Sequence, residues 1–458
     1  MKIIGNKATD MKIAYLGGGS RGWAWGLMAD LAQSKDMSGK VYLYDIDKQA
    51  AVNNEIIGNN IGIQHPGCDN FSYKAADTIG EALKDADFVI ISILPGTFDE
   101  MESDVHAPEK YGIYQSVGDT VGPGGIIRAL RTIPMFEYFA KAIREFCPDA
   151  WVINYTNPMS VCVRTLYKVF PEIKAFGCCH EVFGTQKFLA EVLKENGYED
   201  VAYKDISVNV VGINHFTWLT KAQYKDVDLF PMYKEFCATH TSVKKADDNW
   251  MNRSFIGHEM VKMDLFKRYG AIAAAGDRHL AEFCPGKWYL KDPETVEKWG
   301  FALTPVSWRK EDLKYRLQKS ENYLKGYEFK LNATGEEGAL QMRAILGLGD
   351  IVTNVNLPNR GQIPNLPLDA VVETNAHFTA GRVCPVTAGM IPENVLTLVA
   401  PQVHIQECVV EAGLKRDLEL AFAAFMRDPL VTLDLKDGRA LFDEMVNNTS
   451  KYLAEYLG

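Results

Sequence analysis

The chain has 458 residues, 47% hydrophobic and 24% charged, a balance that excludes a disordered or fibrous protein and gives length enough for two or three domains. Its 49 lysines and arginines stand against 59 acids, a formal net charge of −10, which argues against nucleic acid or an anionic membrane as partner. The longest apolar run, Phe88 to Leu94, is far shorter than the roughly 20 residues that span a bilayer. No secretory signal opens the chain, and its nine scattered cysteines do not look like a disulfide framework, so a cytoplasmic protein with reduced thiols is expected.

In chain order, residues 1 to 10 read as a loose leader, and the first strand is expected from Met11. Strand-like and helix-like stretches then alternate. "KIAYLG", "KVYLYDID", "DFVIISILPG", "WVINYTNP" and "IKAFGCCHE" are short apolar runs that end in polar or glycine-rich residues, separated by amphipathic segments. This predicts α/β architecture, a Rossmann-like doubly wound parallel sheet over residues 1–200. Near residue 200 the pattern changes to the β-rich "ISVNVVGINHFTWLTKAQY" and later to a helix-like end from Gln402 to Leu457. An α+β domain over 201–458 is expected there, serving substrate binding and oligomerisation.

After the first strand, "GGGSRG" places Gly17, Gly19 and Gly22 in G-x-G-x-x-G spacing, with Ser20 and Arg21 between the last two. Glycines let a backbone turn tightly and approach a pyrophosphate at a helix N-terminus. The next strand ends at Asp45, about twenty residues on, where an acid bonds the adenosine ribose and favours NAD over NADP. Ile93 and Pro95 in "SILPG" would wall the same cofactor. In "QSVGDTVGPGGIIRALRTIP", Gly122, Gly124 and Gly125 offer backbone amides to an anion or sugar, flanked by Asp119, Arg128 and Arg131; a solvated helix start is the alternative.

In open α/β sheets ligands lie beyond the carboxyl ends of the strands. There the fourth strand presents Asn154, Thr156 and Asn157, the fifth Cys178, Cys179 and His180, and a later one Asn214 and His215. Thiolate and imidazole suit a borderline divalent metal, with substrate hydroxyls completing the shell, although buried cysteines are commonly core. Further on, "GDRHLAEF" groups Asp277, Arg278 and His279, able to hold a carboxylate and move a proton or to form a surface ion-pair cluster.

Together "YLGGGSRGW", "SILPG", "YGIYQSVGDTVGPGGIIRALRTIP", "NYTNPMS", "GCCHEVFGTQ", "GINHFTW" and "GDRHLAEF" resemble, in order and over nearly the whole chain, glycoside hydrolase family 4, the NAD- and metal-dependent glycosidases. Within it they look most like the LplD-type α-galacturonidase branch. The resemblance implies Mn²⁺, or another ion such as Fe²⁺, Co²⁺ or Ni²⁺, on Cys179 and His215. It implies His180 as general acid, Asn157 as a substrate contact and Asp119 as support for the base. The base falls among Asp277, His279 and Tyr269, with Asp277 preferred, because the family's usual tyrosine stretch reads "GDRHLAEF" here. An arginine that some members carry is missing near Met101 and Glu102; Arg278, His279 and Arg128 are the candidates to hold a uronic acid. The implied reaction oxidises C3 with NAD⁺, removes the C2 proton, eliminates the C1 substituent, adds water and re-reduces C3. An α-glucuronidase, α-glucosidase or α-galactosidase of the family, or a net NAD-dependent sugar dehydrogenase, are the alternatives. The resemblance also implies a homodimer or homotetramer.

Overall fold

The computed structural model describes residues 1–243, 255, 257–332 and 335–458. The parallel wing is built as expected. Strands Lys7–Leu16, Met37–Tyr44, Phe71–Ala75, Phe88–Ile91, Trp151–Asn154 and Lys174–Gly177 lie parallel within one ten-stranded sheet. Their apolar runs follow from position: Phe88–Ile91 is buried at every residue because helices cover both faces.

Register aligns the strand ends. Leu16 pairs with both Tyr44 and Ile91, Ile91 with Asn154, and Asn154 with Gly177. The glycine loop, "SILPG", "NYTNP" and "GCCH" therefore leave the sheet side by side along one edge.

The first ten residues are no loose leader. Lys2–Ile4 pairs antiparallel with the extended first strand, which begins at Lys7, through a turn in which Gly5 adopts φ +59°; glycine takes that left-handed conformation without steric cost.

The sheet also continues past residue 200. Strands Ile351–Pro358, Val371–Thr379 and Arg382–Pro385 extend it antiparallel, joined to the parallel wing by the pairing of Asn356 with Gly177. A second, four-stranded sheet holds Ile206–Ile213, Phe216–Tyr224, Val227–Asp228 and Ile272–Ala273. The cores are shared between the halves: Ile126, Ile127, Leu130 and Ile133 of the helix Gly122–Phe146 pack with Val395, Val399 and Val403 of the helix Glu393–Lys415. The change near residue 200 is thus one of topology, while the hydrophobic interior runs across it. Among the described residues no helix is long and apolar enough to cross a membrane.

Candidate active site

The glycine loop is closed from all sides. Gly17 sits at φ +95°, and a Cβ on it would lie 2.0 Å from the Ser92 carbonyl oxygen. Gly19 donates its N–H to Asp45 Oδ2 at 2.8 Å, and Asp47 donates to Asp45 Oδ1 at 2.9 Å. Burial pushes the Asp45 carboxyl up, opposed by these two bonds. Ser20 Oγ accepts from the Trp23 N–H at 3.2 Å at the start of the helix Trp23–Gln33. Arg21 reaches Asp47 at 3.4 Å, and its carbonyl accepts from Arg316 at 3.1 Å. A Cβ on Gly22 would meet that same Arg316 guanidinium at 2.4 Å. Ile93 donates its N–H to Thr156 Oγ1 at 2.9 Å, and the Pro95 carbonyl accepts from Arg131 at 3.4 Å. A backbone cradle that leaves no room for Cβ atoms fits a dinucleotide pyrophosphate.

A second group of polar side chains gathers around a hairpin of the second half. Ile213 pairs with Phe216, so Asn214 and His215 form the tip of a hairpin, with His215 at φ +63°. A non-glycine side chain held there costs on the order of 1–3 kcal/mol and clusters at functional sites. His215 Nδ1 lies 2.9 Å from Thr120 Oγ1, which donates to Asp119 Oδ1 at 2.7 Å. A hydroxyl has one proton to give; with it on Asp119, Thr120 must accept from Nδ1–H, leaving the lone pair of Nε2 open. Burial, and then the neighbouring His279, lower His215 to about 3, so the ring is neutral, the form that binds metals.

The other predicted residues gather around this pair. The His279 ring lies against His215, centroids 3.9 Å apart and planes tilted by 34°, and its Nε2 lies 3.8 Å from Glu181 Oε1. Glu181 Oε2 accepts the Gly276 N–H at 2.7 Å. The Cys179 thiol bonds to the side chain of Asn214, and burial pushes it well above the usual thiol range. Asn157 Nδ2 lies 3.5 Å from Asp119 Oδ2, while Arg128 Nε donates to the Asn157 carbonyl at 3.0 Å. Burial disfavours the Asp119 carboxylate, but Arg128 and the two imidazoles outweigh it and hold it at about 2. His180 is exposed and pairs with Glu336 at 2.6 Å, a contact that raises its imidazole. Cys178 faces the packing side, its thiol 2.6 Å from Gln341 Oε1.

Three further predicted residues make contacts of their own. Asp277 caps the helix Met260–Tyr269 by accepting from the N–H groups of Lys262, at 3.1 Å, and Val261, and burial with nearby Glu259 pushes its carboxyl up. Tyr269, at the far end of that helix, packs on Trp218 at 5.9 Å. Arg278 donates to the carbonyls of Ala302, at 3.2 Å, and Ser116, at 2.5 Å, and to the Thr304 hydroxyl. The glycine amides after Asp119 are likewise engaged: Gly122 donates to Asp428 at 3.0 Å and Gly124 to Gln115 at 2.9 Å, which supports the plain helix start. Arg131 pairs with buried Asp104.

Sequence reasoning missed Thr120, Glu181 and Glu373. Glu373 accepts from Asn354 at 2.6 Å and Asn214 at 3.3 Å, and Asn354 also donates to the Cys179 carbonyl at 3.0 Å. Burial raises Glu373 to about 7. Its signal was a lone acid inside the apolar strand "VVETNAHF"; Thr120 and Glu181 adjoined motifs already singled out.

A thiol and an open imidazole nitrogen amid Asp119, Glu181 and Glu373 fit a divalent cation. Buried, unpartnered Asn157 Oδ1, Asn214 Oδ1 and His279 Nδ1 add polar atoms that a ligand would satisfy. Among the described residues no three His, Cys, Asp or Glu side chains form a closed metal site, so oxygens from outside the chain would complete the shell.

Known proteins resemble this chain over nearly its whole length. An α-galacturonidase of Thermoanaerobacterium saccharolyticum is 63% identical over 458 residues, covering 99% of this chain and 98% of that one. The crystal structure of the Bacillus subtilis protein lplD, solved as a candidate glucosidase, has a TM-score of 0.91 at 54% identity, covering 95% of this chain and all (100%) of its own. A 6-phospho-α-glucosidase from gut microorganisms, solved with NAD and Mn²⁺, shares the fold with a TM-score of 0.79 at 21% identity, covering 96% of this chain and 98% of that one. The family models "Family 4 glycosyl hydrolase" and "Family 4 glycosyl hydrolase C-terminal domain" match residues 12–195 and 210–431, and the chain is a glycosidase belonging to family 4 of the glycosyl hydrolases.

Proposed function

We propose that this glycosidase hydrolyses α-galacturonides, with NAD on the loop of Gly17, Gly19, Ser20, Arg21 and Gly22 beside Asp45, Ile93 and Pro95, and with Mn²⁺ or a similar ion on Cys179 and His215. The observation that carries the reading is the meeting of Asp119, Asn157, Cys179, His215 and His279, with Asn157 and Cys179 leaving the same end of the parallel sheet as the glycine loop. The 63% identity to an α-galacturonidase over almost the full chain supports the substrate. When bound, the dinucleotide supplies a reversible hydride acceptor and the ion a Lewis acid.

The chain's own residues divide the rest. Asn157, whose carbonyl Arg128 holds at 3.0 Å, orients the glycone hydroxyls. His279 takes the C2 proton, and Glu181, 3.8 Å from its Nε2, stabilises the imidazolium that forms. We prefer it to Asp277, whose Oδ1 accepts the Lys262 N–H at a helix start, and to Tyr269, which packs half-buried on Trp218. His180 gives a proton to the departing C1 oxygen, with Glu336 behind it. Thr120 and Asp119 keep the open nitrogen of His215 turned outward. On family grounds we also propose a cytoplasmic homodimer or homotetramer.

The test is release of 4-nitrophenol from 4-nitrophenyl α-D-galacturonide with NAD⁺ and Mn²⁺ present. Turnover that needs both, without accumulating NADH, is expected. NADH formed in step with sugar consumption would make the protein a dehydrogenase instead.

A further inference from the structure

A uronic acid differs from a neutral hexose by one carboxylate, and a protein of net charge −10 must supply a local cation to read it. The arginines around the site are mostly committed. Arg131 forms a two-pronged pair with Asp104, at 2.9 and 2.5 Å. Arg128 holds the Asn157 carbonyl and neutralises Asp119. Arg316 binds Asp312 at 2.6 Å and the Arg21 carbonyl. Arg278 braces Ser116, Ala302 and Thr304.

Arg309 differs. It stands in the first turns of the helix Val306–Leu324, whose start is fixed to the helix Phe98–His106: Val306 is buried with Met101 and Val105, and its N–H donates to His106 Nε2 at 3.2 Å. This anchorage fixes the helix from which Arg309 projects. Its guanidinium lies 5.2 Å from the Phe255 ring centroid, and that of Arg278 lies 4.8 Å from the same centroid. Arg309 Nε is buried with no hydrogen-bond partner, and among the described residues Arg309 has no carboxylate within ion-pair distance. Two guanidiniums thus lie against one ring, and the Nε of Arg309 has a donor to spare. Arg278, on the same ring, adjoins His279 in its helix and donates to the Ser116 carbonyl three residues before Asp119, so Arg309 stands on that flank of the site.

We infer that Arg309 is the specificity-determining residue for the acidic glycone, pairing its guanidinium with the C6 carboxylate. The planar fork of an arginine matches a carboxylate with two parallel hydrogen bonds. The carboxylate would occupy the Nε donor and balance the charge beside Arg278. This inference rests on the galacturonide reading above.

The experiment compares the NAD⁺- and Mn²⁺-loaded wild type with Arg309→Gln and Arg309→Lys. It measures kcat/KM on the 4-nitrophenyl α-D-galacturonide and α-D-galactoside, and calorimetric affinity for D-galacturonate and D-galactose. In Arg309→Gln the galacturonide-to-galactoside selectivity should fall roughly 30- to 100-fold, the scale of a lost hydrogen bond to a charged group, mostly through KM. Galacturonate affinity should weaken in parallel, and Arg309→Lys should recover part of both. NAD⁺ affinity and melting temperature report whether the variants fold. Equal losses on both substrates, or retained selectivity, would overturn the inference. A wild type that ignores the galacturonide but cleaves another glycoside would instead overturn the proposed function.

Discussion

The two parts of the candidate site are made of different material. The dinucleotide side is built from backbone: Gly17 and Gly19 leave no space for a Cβ, and Asp45 ties the loop together through N–H groups. The other part is built from side chains brought from separate elements, His215 from a hairpin tip, His279 and Glu181 from two helix starts, Thr120 from the approach to a third. A backbone site fails by intrusion, because an added atom has nowhere to go. A side-chain site fails by deletion, since each group is held by the next.

That contrast can be broken by experiment. Cys179→Ser and His215→Ala should have the largest effect, lowering galacturonide turnover about a thousandfold, the scale of removing a main electrostatic contact to a transition state. NAD⁺ affinity measured by calorimetry should remain, and its loss would show that the two parts are not separable. Gly17→Ala tests the other side. Its Cβ would stand 2.0 Å from Ser92 O at φ +95°, a strain on the order of 1–3 kcal/mol that should weaken NAD⁺ by more than about tenfold while Mn²⁺ binding persists.

Thr120→Val should reduce Mn²⁺ affinity about 10- to 100-fold, as removal of a group that orients a ligand does. Thr120→Ser, read by Mn²⁺ titration in an EPR cavity, should restore it. The smallest effect concerns the brace beneath Asp119. Buried Glu282 accepts the N–H groups of Val117 and Gly118, at 2.7 and 2.9 Å, through Oε1, and burial raises its carboxyl from 4.5 to about 8. The folded state then binds this proton more tightly than the unfolded one, so the contribution is whole below about pH 4.5 and is lost as pH rises through about 8. Glu282→Gln keeps the acceptor without the charge. Its melting temperature relative to wild type should climb between pH 5 and pH 9, and a constant difference would show that Glu282 does not titrate in that range.

Much of this was legible in the sequence. The glycine spacing, the acid at a strand end and the parallel alternation are local patterns, and the register of the strands simply aligned them. Cys179, His215, Asp119 and Asn157 could be singled out because each ends a strand or precedes a glycine turn, where chemistry collects. Proximity in sequence says nothing of direction, which is what separates Asp277 from His279. Asp277 and His279 are neighbours in one helix, yet one side chain turns to the helix Met260–Tyr269 and the other to the His215 ring. Arg309 gave no signal at all, since "SWRKEDLKYR" reads as an ordinary charged helix surface.

What the sequence determined by itself was therefore the backbone half: glycines, strand ends and the order of α and β, each fixed by steric and hydrophobic rules that act over a few residues. Tertiary structure alone decided which charged groups face the site and which are committed elsewhere. Glu373, Thr120, Glu181 and Arg309 come from four distant segments, and their electrostatic roles exist only once burial removes water and sets each beside its partners.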